Sequence, residues 1–91
     1  MAYGTVTVTA TATLIRPANC DRRELRIVNF SDVNVVYLGQ DASVTTANGF
    51  PLYQNQNMLH TKDNGMWLGA VYGICSAAAT ADVRYWETEG T

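Results

Sequence analysis

The sequence predicts an all-β chain, a single antiparallel β-sandwich of jelly-roll-like form. Three observations carry this. Apolar and polar residues alternate at period 2 in several segments, the pattern of strands half buried against a core. No segment sustains a 3.6-residue period. Turn residues recur at close spacing, as in sandwiches and small barrels.

Residues 5–15 read TVTVTATATLI. Val6, Val8, Ala10, Ala12 and Leu14 share one face and the threonines share the other, so one long strand is expected. Pro17 ends it, because proline cannot donate to a ladder. A second strand is expected over 24–30 and a third over 33–38, separated by Ser31-Asp32 and closed by Gly39. Asn29 has a side chain suited to bonding the backbone of that intervening turn. Short strands are expected over 42–44, 50–53 and 58–61. Asn48-Gly49 predicts a tight turn in which both residues take positive φ. Asn64-Gly65, following Asp63, predicts another. Residues 54–57 are polar and uncharged and read as a loop. Residues 67–75 and 81–87 read as two arms of a closing hairpin, with Ala81, Val83 and Tyr85 opposite in phase to Asp82, Arg84 and Trp86. Its alanine-rich tip suits either a plain turn or one helical turn.

The chain has 91 residues, enough for one domain over 1–91, with a short arm at 1–4 and a tail at 88–91. A domain of this size buries only about 60–65 % of its unfolded surface, so its core is thin. Hydrophobic residues make up 47 % of the chain, which places it among globular rather than disordered sequences. The net charge of −2 argues against non-specific nucleic-acid binding and against a polybasic membrane module. The first fifteen positions carry no Lys or Arg and no apolar run, which argues against a Sec-type leader.

Chemistry is sparse. His60 is the only histidine, and a general base needs partners that the sequence does not place beside it. The eight carboxylates are scattered and mostly flank predicted turns. No activated-serine motif, calcium loop or cysteine–histidine cluster occurs, so no enzyme, metal or other cofactor is expected. Cys20 and Cys75 admit two readings: two reduced thiols packed as small apolar residues, or one bridge between neighbouring strands. The aromatic residues admit core packing, protein contact or stacking on sugar rings.

Low charge is the most informative feature. Charged residues make up 15 % of the chain, where a small soluble monomer shows roughly 25–35 % on its surface. Residues 5–15 contain no charge, Pro or Gly, the usual protections of a sheet edge. Both features suit a permanent assembly. Arg16, Arg22, Arg23 and Arg26 cluster around a Pro-containing loop. Arginine is favoured at interfaces, so Arg16 and Arg22 are the expected partner contacts, with Tyr3 of the arm as a further candidate.

Several segments together resemble small β-sandwich virion proteins of tailed bacteriophages, some of them head decoration (cement) proteins. The resemblance rests on R-x-L-x-I-x-N-x-S from Arg23 to Ser31, V-Y-L-G from Val36 to Gly39, and V-T-x-x-N-G-x-x-L from Val44 to Leu52. It continues in Val71–Ser76 and Val83–Glu87, and so spans roughly residues 14–87. Two departures stand out: Gly73 interrupts a late strand in the manner of a bulge, and residues 54–57 lack a glycine-centred turn. The resemblance implies a virion structural protein, most specifically a capsid decoration protein on the assembled shell. The expected partners are the major capsid protein or another virion protein and other copies of itself, as a homotrimer because local three-fold positions abound in icosahedral shells; the low charge leaves no nucleic acid and no membrane among them. The alternatives are a tail or fibre component, or a carbohydrate-binding module for host-surface glycans. Buried Trp67 and Trp86 would favour a scaffold, and two coplanar exposed rings a sugar platform.

Overall fold

A computed structural model describes residues 2–31, 33–61, 67–76 and 79–89. Asn64 and Gly65, the expected second turn, lie outside the described residues. Eight strands are present: β1 Ala2–Val8, β2 Thr13–Arg16, β3 Arg22–Asn29, β4 Val36–Gly39, β5 Phe50–Leu52, β6 Asn57–Thr61, β7 Val71–Ile74 and β8 Ala81–Glu89. They form two four-stranded antiparallel sheets, ordered β1-β8-β3-β6 and β2-β7-β4-β5. Every strand passes to the other sheet from the one before it, except β5, which pairs with β4 in the second sheet. This order is that of a jelly roll, so the predicted fold class is the observed one.

The long first strand is broken. Residues 2–8 pair with β8, whereas residues 13–16 pair with β7 in the opposite sheet. Threonine causes the break. The Thr11 amide donates to Thr9 Oγ1 (3.2 Å), and Thr13 Oγ1 donates to the Thr11 carbonyl (2.8 Å). Such local bonds compete with ladder bonds and bend the chain. The bend also slips the phase: Val8 is buried, but beyond it Ile15 is buried and Leu14 is 43 % exposed. The expected closing hairpin is likewise absent. β7 lies between β2 and β4, and β8 lies between β1 and β3, so the two arms belong to different sheets. Residues 2–4 are not a free arm, nor are Thr88 and Glu89 a tail. All five belong to β1 or β8. Residues 42–44 form a turn rather than a strand.

The core is aliphatic. Val8, Ile15, Leu25, Ile27, Val36, Leu38, Leu52, Val71, Ala81 and Val83 are buried and meet between the sheets with Cys75. No aromatic residue is fully buried among the described residues. Asn29 shares the inward phase of Leu25 and Ile27 and is fully buried. Its Oδ1 accepts the Ser31 amide (3.1 Å), as expected, and its Nδ2 donates to the carbonyls of Asn34 (2.8 Å) and Leu52 (2.9 Å). Asn29 therefore ties β3 to β5 across the sandwich.

The Asn48-Gly49 turn exists but uses different chemistry from that expected. Among the described non-glycine residues only Asn55 takes positive φ (60°). Asn55 thus does in the 54–57 loop what a glycine would do. Asn48 acts through its side chain, whose Oδ1 accepts the Thr45 amide (2.7 Å). Gly49 is required for space: a Cβ there would lie 2.6 Å from Tyr37 Cβ and 3.0 Å from the Thr45 carbonyl oxygen. Gly39 is similar, since its Cβ would lie 2.5 Å from Cβ of the buried Val44. Gly73 is no bulge: it pairs in register with both Thr13 and Leu38.

Because the constraint at Gly49 is close packing, Gly49→Ala should already destabilise, by about 1–3 kcal/mol as for other overpacked sites. A denaturation midpoint measured against the parent checks this, with an unchanged midpoint counting against the packing argument.

Candidate functional site

Three places on the described surface and interior could carry function. The first is the outer face of the sheet β1-β8-β3-β6. Strand register places Tyr3 opposite Trp86, Trp86 opposite Arg26, and Arg26 opposite Leu59. All four are exposed, so they form one row across all four strands. At the usual strand spacing the row is about 14 Å long. Tyr3 is 73 % exposed and Trp86 43 %. Their rings stack with centroids 5.7 Å apart and planes 23° apart. An aromatic–cation pair lies beyond them, where the Arg84 guanidinium sits 4.2 Å from the Phe30 ring centroid. Arg84 also meets Asp82 at 3.2 Å, an exposed pair of little energetic weight.

The second place is a buried ionic cluster. Glu87, Arg22 and Arg16 were brought together by β8, β3 and β2. Glu87 shares the inward phase of Ala81, Val83 and Tyr85 and is fully buried. Its Oε2 accepts from Arg22 Nε, and its Oε1 accepts from Arg16 Nε (2.7 Å) and Nη2 (2.6 Å). Arg22 is spent internally: Nη1 donates to the carbonyls of Trp67 (2.8 Å) and Gly69 (3.0 Å), and Nη2 donates to Pro17 (2.9 Å). Arg16 also lies over the Tyr85 ring at 4.6 Å. The expectation that Arg16 and Arg22 contact a partner is therefore corrected. Arg22 is 2 % exposed with its donors engaged inside the chain, and Arg16 turns inward onto the same carboxylate. Of the three expected contact residues only Tyr3 lies on open surface.

Burial by itself raises the Glu87 carboxyl, but the hydrogen bonds and charges of Arg22 and Arg16 outweigh it and hold the group below its ordinary value of 4.5. The cluster is a structural lock and offers no reactive group. It fastens the 67–69 segment and the Pro17 loop onto β3 and β8.

The third place is a cavity of about 350 Å³ between the sheets, lined by Leu25, Leu38, Phe50, Met58, Trp67 and Val71. Among the described residues, Gln40 is the one polar side chain on its wall. Trp67 is 38 % exposed, and its Nε1 donates to the Ala70 carbonyl (2.9 Å). The cysteines are both free, Cys20 exposed and Cys75 buried. Burial pushes the Cys75 thiol up, away from reactivity. His60 lies on the edge strand β6, opposite Leu25. Among the described residues no three His, Cys, Asp or Glu side chains gather as a metal site would require.

The row Tyr3–Trp86–Arg26–Leu59 is not legible as a row in the sequence. Alternation shows which residues of a strand share a face, but only inter-strand register shows which residues meet. Glu87 did leave a signal: it is an acid at the inward phase of a strand, where a carboxylate needs a buried cation. No family model, no curated protein and no solved structure matches the chain.

Removing the carboxylate should be costly, since Glu87→Gln leaves two inward-turned guanidinium groups uncompensated. A loss of about 3–5 kcal/mol is expected from breaking one member of a buried ion pair. The pH dependence follows from the depressed carboxyl. The stabilisation is fully present above the ordinary value of 4.5 and is lost as pH falls through the lower value of the folded chain. Unfolding free energies measured across the acid range should fall less steeply in Glu87→Gln than in the parent.

Proposed function

We propose that the chain is a structural protein of a tailed-phage particle, specifically a capsid decoration protein that attaches to the assembled shell and stabilises it. One observation carries the reading: an exposed row of two aromatic rings, an arginine and a leucine on a sheet face that has no opposing layer among the described residues. Aromatics and Arg are the residues enriched in interface cores and hot spots. Tyr3, Phe30, Phe50, Tyr53 and Trp86 stand outside an aliphatic core, where they are available to a partner. The resemblance of residues 14–87 to virion proteins supplies the kind of partner. Jelly rolls serve in viral capsid domains and in lectin domains alike, so the fold is compatible with this role without assigning it. Attachment would work by area burial repeated over many equivalent sites, so that avidity lengthens residence without a tight single contact.

A glycan-binding role is the second reading, favoured by the exposure of Tyr3 and Trp86. Their rings stack on each other, however, so each has one face already covered. A sugar platform needs ring faces turned outward, and protein contact makes better use of this ridge.

Particles of the source phage assembled without this chain provide the test. Purified parent chain should co-sediment with them and raise their thermal stability. The double variant Tyr3→Ala, Trp86→Ala should keep the fold and bind at least about tenfold more weakly, as expected for truncated hot-spot residues. Failure of the parent to bind overturns the reading. Quenching of tryptophan fluorescence by oligosaccharides, absent in the double variant, would favour the glycan role instead.

A further inference from the structure

We propose that β1 is a self-association edge, along which two copies of the chain pair antiparallel about a two-fold axis and join their β1-β8-β3-β6 sheets into one eight-stranded sheet. The proposal does not depend on the phage reading.

The four sheet edges of the sandwich differ in how they are protected. β5 is three residues long and contains Pro51, which cannot donate to an added strand. β2 is four residues long, carries a register shift between Leu14 and Arg16, and ends in the inward-turned Arg16. β6 is five residues long and is followed directly in the sequence by Lys62. β1 is seven residues, AYGTVTV, with no charge, no proline and no register shift. Short strands, proline, bulges and lysine are the devices that keep edges from pairing, and β1 alone has none of them.

Only the far end of β1 is occupied on its open side. There the Cys75 thiol donates to the Val8 carbonyl (3.7 Å), and the Cys75 amide donates to the Thr9 carbonyl (2.9 Å). From Ala2 to Thr7 no strand other than β8 pairs with β1 among the described residues. The strand also suits its own copy. With Thr5 on the axis, Thr5 faces Thr5 and Tyr3 faces Thr7 on the outer side, while Gly4 faces Val6 on the inner side. Threonine pairs of this kind favour cross-strand contact, and no like charges oppose each other. Val6 is only partly buried in one chain, so pairing would cover it further.

Light scattering on the purified chain at sub-millimolar concentration should give twice the 10.0 kDa chain mass. Residue-resolved amide exchange should show the alternate amides of residues 3–7 that point away from β8 protected when concentrated and exposed on dilution. Thr5→Glu places two carboxylates face to face across the axis, while within one chain the new carboxylate lies opposite Arg84 and suits the fold, so it should shift the mass to that of one chain. A parent that stays at one chain mass at every concentration overturns the proposal. So does a dimer in which those alternate amides exchange freely, because it would then associate through a face.

Discussion

The carboxylate of Glu87 is the point on which the end of the sandwich that carries the Pro17 loop and the 67–69 segment depends. Charged groups are expensive to bury, and this one is tolerated because two guanidinium groups close on it. The arrangement does more than neutralise an acid. Arg22 is planar and carries donors in several directions, so one side chain reaches Glu87, Trp67, Gly69 and Pro17 together. Three irregular backbone carbonyls thereby find partners that a thin aliphatic core could not supply. A lysine in the same place, with its compact head, could not span them.

The same economy explains where the aromatic residues stand. Two sheets of short strands leave an interior suited mainly to Val, Ile, Leu and Ala, and most buried inward positions are filled by these types, with Tyr85 and Met58 packed partly against them. Gly49, Gly39 and Gly73 bring backbone close to neighbouring side chains, leaving little depth for a large ring. Tyr3, Phe30, Phe50, Tyr53 and Trp86 are accordingly exposed. Their exposure follows partly from the core being closed to them and partly from pairing on the surface, as in Tyr3–Trp86 and Arg84–Phe30. An interface built from such residues needs no further hydrophobic surface to be created on binding.

Much of the fold was legible because period 2 survives in β1, β3 and β8, whose alternation matches their buried and exposed faces. What failed was continuity. TVTVTATATLI offers no Gly or Pro to mark a break, yet the threonine hydroxyls at 9 and 13 bond locally and turn the strand into the other sheet. A residue that favours strands by its branching can end one by its hydroxyl, and composition does not say which property wins. The arginine cluster failed for a related reason. Arg16 and Arg22 look like surface residues until strand pairing brings Glu87 between them. The candidate face was only half legible, since Tyr3 could be picked out by sequence but its neighbours Trp86, Arg26 and Leu59 are set by register.

Charge then decides what kind of partner the open face can meet. Composition already gives few charges, and the cluster withdraws Arg16, Arg22 and Glu87 from the surface. The outer face of β1-β8-β3-β6 keeps Arg26 and Arg84 together with Glu24, which shares the phase of Arg26, and Asp82, which is engaged by Arg84. The face is thus close to neutral, and Arg26 is the charge that borders Trp86 and Leu59. A complementary surface would offer apolar ground for Trp86 and Leu59 and a carboxylate for Arg26. Apolar contact supplies most of the energy in such a junction, while the arginine fixes orientation, because a planar donor fork tolerates few geometries. Pairing along β1 would set two of these faces side by side in one plane, each with the same polarity about the axis. A partner with a single copy of the complementary patch would then meet one face and leave the other open. A partner that repeats the patch at matching spacing would engage both, and the second contact would form at high effective concentration. Discrimination in favour of an ordered array over an isolated subunit follows from this geometry alone, without any increase in the strength of the individual contact.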